Sequence, residues 1–161
     1  MSKIAPCLWF ATEAEEAANF YVSLLPDSRI DVVHRNVLET PSGPVGSVLF
    51  IEFTLAGQRF QALNGGERIP FNHGVSFSID CADQAEVDRL WDRLAEEGTP
   101  KQCGWIHDKY GLAWQIVPRA LLQILARPDK AAAARMTQAM FGMVKLDVAG
   151  LEAAARGEAP A

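Results

Sequence analysis

The chain contains one short pattern twice: a glycine, two further residues, an aromatic residue and a glutamine. It reads from Gly57 to Gln61 in GQRFQALN and from Gly111 to Gln115 in GLAWQIVP. Both segments have the alternation of a strand, which places each glutamine on the face opposite to its aromatic neighbour. A glutamine amide both donates and accepts hydrogen bonds. The repeat therefore predicts two strands whose amides either hold a polar small molecule or bond to neighbouring protein groups.

Two other alternating segments carry candidate ligand-binding side chains. In IAPCLWF, Trp9 lies on the opposite face from Leu8 and Phe10, and in VSFSIDC the polar residues Ser78 and Asp80 share one face. Asp80 could instead cap or tie a turn. By alternation alone, Trp9, Ser78 and Asp80 are predicted to line the same faces as the two glutamines.

The three histidines, His34, His73 and His107, have no spacing typical of a metal-binding motif. In the segment HDKYG, His107 is close in sequence to Asp108 and Tyr110, and these three side chains could transfer protons. Proximity in sequence at a turn does not establish the geometry that proton transfer needs. We therefore name this cluster as a catalytic candidate and leave the catalytic residues unassigned.

The composition is that of an ordinary globular protein. The 161 residues are 49% hydrophobic, which suits one domain with a sizeable core or two small modules that share one. A net charge of −5 argues against a nucleic-acid-binding surface. No segment approaches the roughly 20 apolar residues of a membrane span, and the first residues do not have the pattern of a signal peptide. These two observations predict a cytoplasmic location. The three cysteines, which are odd in number and have no CxxC spacing, predict buried free thiols.

The elements that carry these residues are repeated as well. Thr12 and Glu15, like Asp83 and Glu86, have the spacing of a helix N-terminal capping box. An alternating strand precedes each box, and an apolar helical stripe follows it. The two strands and the two boxes correspond at an offset of 71 residues. Each half of the chain is therefore predicted to begin with a strand and a helix.

Further strands and helices complete the predicted order of elements. The predicted strands after the two helices are 29–37, 45–55 and 58–64 in the first half, and 101–107 and 112–117 in the second. Beyond Pro118 the pattern becomes helical, with Asp129 and Asp147 as predicted caps. The predicted divisions are module 1 at about 3–64, a linker at 65–72, module 2 at about 73–118, C-terminal helices at 119–155 and a flexible tail at 156–161.

Four runs of sequence, taken in order, resemble the PhnB-like family of the vicinal oxygen chelate superfamily. They are EEAANFYVSLLPDSRI, FTLAGQRFQALNGG, VSFSIDCADQAEVDRLWDRL and CGWIHDKYGLAWQIVP. That superfamily includes glyoxalase I, bleomycin-binding proteins and extradiol dioxygenases, and this family often bears the name 3-demethylubiquinone-9 3-methyltransferase. The resemblance implies an α+β fold of two βαβββ modules, each with its strands wrapped into a cup beneath a helix. A helical C-terminal extension follows the modules.

The resemblance also implies which positions would hold a metal. In metal-dependent relatives, the first and last strands of each module supply the ligands. These positions fall near Ala5 and Ser76 on the first strands, and on Gln61 and Gln115 on the last. Alanine offers no ligand, a serine hydroxyl is a poor one, and a glutamine brings no charge, so the usual histidine and glutamate set is missing. We therefore expect no metal at these positions and no cofactor.

The name methyltransferase has no counterpart in the sequence. A Rossmann-type site for S-adenosylmethionine or a dinucleotide needs a glycine-rich loop between a strand and a helix. The glycines of GPVGS at 43–47 precede a predicted strand instead. We expect no nucleotide-type cofactor site.

Three functions stay open from the sequence. The first is a protein that binds a small polar or aromatic molecule in its cups without the usual metal. The second is a metal-dependent lyase, isomerase or dioxygenase with a rearranged ligand set, drawn from His34, His73 or His107 with Glu52 or Asp80. The third is an interaction module whose cups are filled by its own side chains. In each case we expect a homodimer, because relatives often pair modules across chains and two-fold dimers are the commonest oligomers.

Overall fold

A computed structural model describes residues 3–158 of the protein. The chain divides into two compact units, Met1–Pro70 and Phe71–Ala161, and the division falls within the predicted linker at 65–72. Each unit contains one four-stranded sheet. Within the described residues, no helix is both long enough and apolar enough to cross a membrane.

The first unit has the predicted order of one strand, one helix and three strands. Its elements are β1 (Cys7–Phe10), α1 (Ala14–Val22), β2 (Arg29–Arg35), β3 (Val48–Leu55) and β4 (Gln58–Asn64). The strands lie in the order β1-β4-β3-β2, with β1 parallel to β4 and the other neighbours antiparallel. This first sheet confirms the βαβββ arrangement of module 1.

The core of the first unit lies between α1 and one face of its sheet. Ala17, Ala18 and Tyr21 of α1 are fully buried, and the small alanines let the helix lie close to the strands. Tyr21 stacks on Phe53 at 6.4 Å between ring centroids, and Phe53 stacks on Phe60 at 5.4 Å. Because side chains alternate along a strand, the residues next to Phe53 and Phe60 lie on the opposite face.

The second unit begins with the same order. Its elements are β5 (Ser76–Cys81), α2 (Gln84–Ala95), β6 (Thr99–Pro100), β7 (Trp105–His107) and β8 (Ala113–Pro118). The strands lie in the order β5-β8-β7-β6, with β5 parallel to β8. The prediction of one strand over 101–107 was wrong for its first half. Cys103 and Gly104 have φ values of 60° and 79°, which turn the chain between two short strands.

Three helices follow the second sheet and form the C-terminal extension. They are α3 (Arg119–Ala126), α4 (Lys130–Met140) and α5 (Val148–Arg156). The predicted caps are confirmed, because Asp129 accepts a hydrogen bond from the N–H of Ala132 and Asp147 accepts one from Gly150. Helix α5 runs into the start of the predicted tail, and residues 159–161 lie outside the described residues.

The extension is attached to the second sheet through the segment between α4 and α5. The N–H groups of Cys103 and Gly104 donate to the carbonyls of Met143 and Val144, both at 2.8 Å. Gly104 has to be a glycine here, because a Cβ would approach the Leu146 side chain to 2.9 Å and φ is positive. The turn before β7 therefore holds the extension.

The two predicted capping boxes have different outcomes. The second is confirmed, because Asp83 accepts from the N–H of Glu86 at 2.9 Å while the Glu86 carboxylate accepts from Ala82. The first was wrong. Helix α1 begins at Ala14, whose N–H donates to the buried Asn64 side chain of β4 at 2.9 Å. A distant residue supplies the acceptor that Thr12 was predicted to supply.

Candidate functional site

The face of the first sheet that points away from α1 is called here the first open face. Its residues are partly or fully exposed, whereas on β1, β3 and β4 most of their neighbours along the strands are buried against the helix. Strand register places Cys7, Gln61 and Glu52 side by side, and Trp9, Leu63 and Phe50 side by side in the next row. The first open face comprises Cys7, Trp9, Val32, His34, Phe50, Glu52, Arg59, Gln61 and Leu63.

A chain of polar contacts crosses this face on one side of Gln61. Glu52 accepts from Arg59 at 3.2 Å and lies 2.9 Å from His34 Nε2. The His34 ring stacks on Phe50 with centroids 4.2 Å apart. The hydrogen bond from His34, supported by Arg59, lowers the pKa of Glu52, so its carboxylate is ionised at neutral pH.

Gln61 differs from these neighbours because its side-chain amide has no hydrogen-bond partner among residues 3–158. The amide is half-buried and lies between Cys7 and Glu52 in register. Trp9 borders the same face, where its indole N–H donates to the carbonyl of Glu67 at 2.8 Å. Gly65 leaves room for this ring, since a Cβ there would overlap it at 1.8 Å.

The corresponding surface of the second sheet, called here the second open face, comprises Ser76, Ser78, Asp80, Trp105, His107 and Gln115. Two further residues of this side are covered, because Ala113 is buried and Val117 packs against the helices of the extension. Gln115 donates to the hydroxyl of Ser76 at 2.9 Å, so the structure brings these two predicted residues together. Ser78 lies directly opposite Gln115 in register and is exposed. Asp80 forms a 3.1 Å ion pair with Arg119 at the start of α3, which ties the sheet to the extension.

The predicted acid–base cluster separates into different environments. Asp108 is buried and accepts from the N–H groups of Tyr110 and Leu112 and from the indole of Trp114, at 2.9 to 3.0 Å. His107 instead lies on the second open face, with its ring 6.3 Å from that of His73. Asp108 therefore organises the turn, and the structure gives it the contacts of a structural residue.

The environment of His107 favours its neutral form. Burial lowers the pKa of its imidazole, and the positive charge of Lys101 lowers it further. The Asp108 carboxylate acts in the opposite direction. His107 is therefore neutral at pH 7, a form that can accept a proton or a hydrogen bond.

The residues at the expected metal positions do not suit a divalent metal. Cys7, not Ala5, lies opposite Gln61, and Ser78 lies opposite Gln115. Although Cys7 is exposed as a residue, partial desolvation of its thiol raises the pKa, which keeps the thiol protonated, and amides and hydroxyls bring no charge. Across residues 3–158, no three histidine, cysteine, aspartate or glutamate side chains are grouped as metal ligands.

The cysteines are free thiols in three environments. Only Cys81 is fully buried, and burial raises its pKa to about 12. Cys7 is exposed and Cys103 is half-buried, so the prediction of buried thiols was wrong for both. Cys7 is exposed because it alternates with Leu8, which faces the core.

Sequence reasoning missed Arg59, Leu63 and Phe50 on the first open face. Arg59 and Leu63 are two residues to either side of Gln61, so alternation along β4 could have identified them. Phe50 could not be found in that way, because its place beside Leu63 depends on the register between β3 and β4.

The junctions between strands and helices hold no phosphate-binding loop. Residues 11–13 connect β1 to α1 and residues 82–83 connect β5 to α2, and neither connection contains a glycine. The third junction has no loop, because α3 follows β8 directly. The segment GPVGS leads into β3. Backbone N–H groups are thus not arranged at these junctions as in Rossmann-type cofactor sites.

Comparisons with known proteins identify the family. A family model described as 3-demethylubiquinone-9 3-methyltransferase matches residues 2–117. A PhnB protein from Bacillus cereus is 32% identical with a TM-score of 0.67, and the match covers 73% of this chain and 99% of that chain. A protein from Pseudomonas aeruginosa is 20% identical with a TM-score of 0.54, covering 73% of this chain and 98% of that chain.

A glyoxylase/bleomycin resistance protein/dioxygenase domain from Frankia sp. EAN1pec is 18% identical with a TM-score of 0.45, covering 73% of this chain and 92% of that chain. A comparison with curated proteins gave no match. Two βαβββ units, the family match over most of the chain and the similarity to the Bacillus cereus protein agree with one another. The chain therefore belongs to the PhnB-like 3-demethylubiquinone-9 3-methyltransferase family.

Proposed function

We propose that the protein binds a small polar or aromatic molecule on its open faces without a metal at the first-strand and last-strand positions. One observation carries this proposal. The last strand of each sheet presents a glutamine amide on the open face, opposite Cys7 in one sheet and Ser78 in the other. These groups can bind a polar ligand through hydrogen bonds, whereas they are poor ligands for a divalent metal.

The surroundings of the glutamines support the same proposal. Aromatic side chains border both amides, with Trp9 and Phe50 on the first open face and Trp105 next to Gln115 in register on the second. Mainly apolar surfaces with a few oriented polar groups are typical of small-molecule sites. The family name refers to methyl transfer, but none of the three strand–helix junctions has the glycine-rich loop that binds a nucleotide-type methyl donor in Rossmann-type sites.

The test is a fragment screen by NMR on the ¹⁵N-labelled protein in the presence of EDTA. The chain has four tryptophans, of which only Trp9 lies in the first unit, so its indole N–H reports on the first open face. Trp105 reports on the second. We expect fragments that shift one of these indole signals and bind more weakly to Gln61→Leu or to Gln115→Leu, respectively.

The paired variants control for each other. A fragment seen through Trp9 should bind unchanged to Gln115→Leu, and one seen through Trp105 should bind unchanged to Gln61→Leu. No fragment binding at either face, or binding that requires an added metal, would contradict the proposal.

A second candidate is a metal-dependent enzyme with a rearranged ligand set. The specific observation is the pair of histidines His73 and His107 on the second unit, with ring centroids 6.3 Å apart. His34 and Glu52 form another close pair at 2.9 Å. Measuring zinc, nickel, manganese and iron(II) uptake by equilibrium dialysis tests this candidate. Stoichiometric uptake that is lost in His73→Ala and His107→Ala would favour it.

We also propose that the protein acts as a homodimer in the cytoplasm. Free thiols, among which Cys7 is exposed, suit a reducing compartment. The extension carries exposed apolar side chains, including Leu122, Leu125 and Phe141, that a partner subunit could cover. Their role in assembly is tested by the variants described in the Discussion.

A further inference from the structure

The first open face is divided into an apolar row and an ionic row. Register places Trp9, Leu63 and Phe50 next to one another across three strands, and His34 ends this row on the edge strand, where its ring stacks on Phe50. The next row along the strands, called here the ionic row, contains Gln61 and Glu52, with Val32 at its edge. Arg59 lies opposite Thr54 in the row beyond, and its guanidinium reaches the ionic row at Glu52. Strand geometry separates successive rows by about 6.8 Å. A molecule on this face would meet apolar surface at one end and charged or amide groups at the other.

The ionic row has more unused donors than acceptors. One terminal nitrogen of Arg59 donates to Glu52, while a guanidinium carries five N–H donors. The amide of Gln61, two residues further along the same face of β4, adds two N–H donors. Its carbonyl is a single acceptor group. The end of a ligand that reaches this row is therefore best matched by oxygen acceptors.

The negative charge of Glu52 does not cancel this preference. His34 contacts one oxygen of its carboxylate, and Arg59 contacts the other. Glu52 thus orients the Arg59 guanidinium toward the row of Gln61 and balances the positive charge of Arg59. The preference for an acid therefore rests on the remaining N–H donors. A carboxylate on the ligand can bond to the remaining N–H groups of Arg59 in the paired geometry that guanidinium favours.

We propose that the first open face binds an aryl-substituted carboxylate, such as a short arylalkanoic acid. Its ring lies on the row of Trp9, Leu63 and Phe50, and its carboxylate accepts from Arg59 and Gln61. The inference rests on the proposed function and narrows it, because it assigns a ligand class to one of the two open faces. Arg59 determines the specificity for the acid, and Gln61 orients the carboxylate of the ligand.

The experiment follows the Trp9 indole N–H signal of the intact ¹⁵N-labelled protein during titration with three probes. They are 3-phenylpropionate, its uncharged analogue 3-phenylpropionamide, and butyrate, which lacks the ring. We expect saturable shifts with 3-phenylpropionate and about ten-fold weaker binding of the other two. The indole signals of the second unit should not follow the same titration.

Three variants locate the contacts. Arg59→Met should weaken 3-phenylpropionate binding about ten-fold and leave the amide unchanged, while Arg59→Lys should recover part of the affinity. Gln61→Leu should weaken the acid and the amide alike. Arg29→Met is the matched control, because Arg29 lies in register with the same face at the edge strand and pairs with Asp31. It should change affinity by less than about two-fold.

Two outcomes would overturn the inference. Equal affinity for the acid and the amide would show that the carboxylate is not recognised. Equal losses of 3-phenylpropionate affinity in Arg29→Met and Arg59→Met would show an effect of surface charge alone. The same experiments distinguish a wrong ligand class from a wrong proposed function. If 3-phenylpropionate leaves Trp9 unshifted while other fragments bind in a Gln61-dependent way, only the ligand class is wrong. If no fragment binds at all, the proposed function is wrong as well.

Discussion

Gln61 and Gln115 occupy equivalent positions in their sheets but have different partners. Gln115 donates to the Ser76 hydroxyl at 2.9 Å, which restricts its amide before any ligand arrives. The Gln61 amide has no such bond among residues 3–158. A ligand on the first open face therefore has to restrict this side chain, which costs conformational entropy. Equivalent residues thus need not bind ligands with equal affinity.

His107 provides a prediction about protonation. Burial and then Lys101 lower its pKa below the ordinary value for histidine, and His73 acts in the same direction. In an NMR titration of the histidine ring signals, we expect His107 to have a lowered pKa and Lys101→Met to raise it. An unchanged value in Lys101→Met would contradict the proposed electrostatic cause.

The same shift has a consequence for stability. The unfolded chain binds a proton at His107 more readily than the folded chain does, so this residue favours the folded state at neutral pH. That contribution is lost as the pH falls from the ordinary histidine pKa, about 6.5, through the lowered folded value. We expect His107→Gln to reduce the dependence of the urea midpoint on pH in this range. If His34→Gln reduced the pH dependence of the urea midpoint by the same amount, that dependence could not be assigned to His107.

Asp108 provides a prediction about structure. Its buried carboxylate accepts from two backbone N–H groups and from the Trp114 indole. Asp108→Ala leaves all three donors without that acceptor, so we expect a loss of about 3 kcal/mol or more in the free energy of unfolding. Urea unfolding measures it, with Asp108→Asn as the control that retains one acceptor oxygen. A loss below about 1 kcal/mol in Asp108→Ala would contradict this structural role.

At the scale of elements, local signals located the helices and strands better than their ends. The predicted strand at 29–37 ends at Arg35, because the side chain of Asn36 donates to Ser42 and Ser47 and holds a loop. The predicted strand at 45–55 accordingly begins at Val48. Hydrogen bonds between side chains of this loop determine where the two strands end and begin. Strand periodicity does not detect such bonds, because they join residues several positions apart.

The attachment of the extension is testable at Gln84 of α2. Its amide donates to the carbonyl of Leu146 at 3.2 Å and accepts from the N–H of Val148 at 2.7 Å. Gln84→Met removes both bonds, together with the 3.0 Å hydrogen bond from Gln84 to the Asp88 carboxylate within α2, and we expect the free energy of unfolding to fall by about 2 kcal/mol. The amide of Val148 should also exchange its hydrogen faster.

The matched control for Gln84 is the exposed Gln123 of α3. Gln123→Met removes the same chemical group at a position where the amide has no hydrogen-bond partner among residues 3–158. The free energy of unfolding and the exchange rate at Val148 should therefore stay near those of the unmodified protein. Equal exchange rates at Val148 in Gln84→Met and Gln123→Met would contradict the role of Gln84 in holding the start of α5.

At the scale of the whole molecule, the extension distinguishes this chain from the common part of its family. The family model ends at residue 117, within β8, so α3, α4 and α5 lie beyond it. The Bacillus cereus protein is covered over 99% of its length by 73% of this chain. The extension has its own apolar cluster, which includes Met136, Leu146 and Leu151. It is therefore an addition to the two repeated units.

We expect a homodimer in solution at micromolar concentration, measured by sedimentation or light scattering. If the extension contributes to the interface, Leu122→Ser combined with Leu125→Ser should weaken dimerisation, since both side chains are exposed on α3. Val37→Ser, which changes an exposed apolar residue of the first unit, is the control. A monomeric unmodified protein would contradict the prediction, and unchanged assembly of the double variant would exclude α3 from the interface.

The sequence by itself determined the repeated order of strand, helix and strands, the positions of Gln61 and Gln115 on the last strands, and three of the four predicted caps. Periodicity, capping chemistry and the internal repeat are local signals, so they can be read without a structure. Only the tertiary structure decided which residues meet. It placed Asn64 at the start of α1, Asp108 against Trp114, and Arg59 beside Glu52. Such contacts depend on strand register and on side chains from distant segments, which local patterns do not encode.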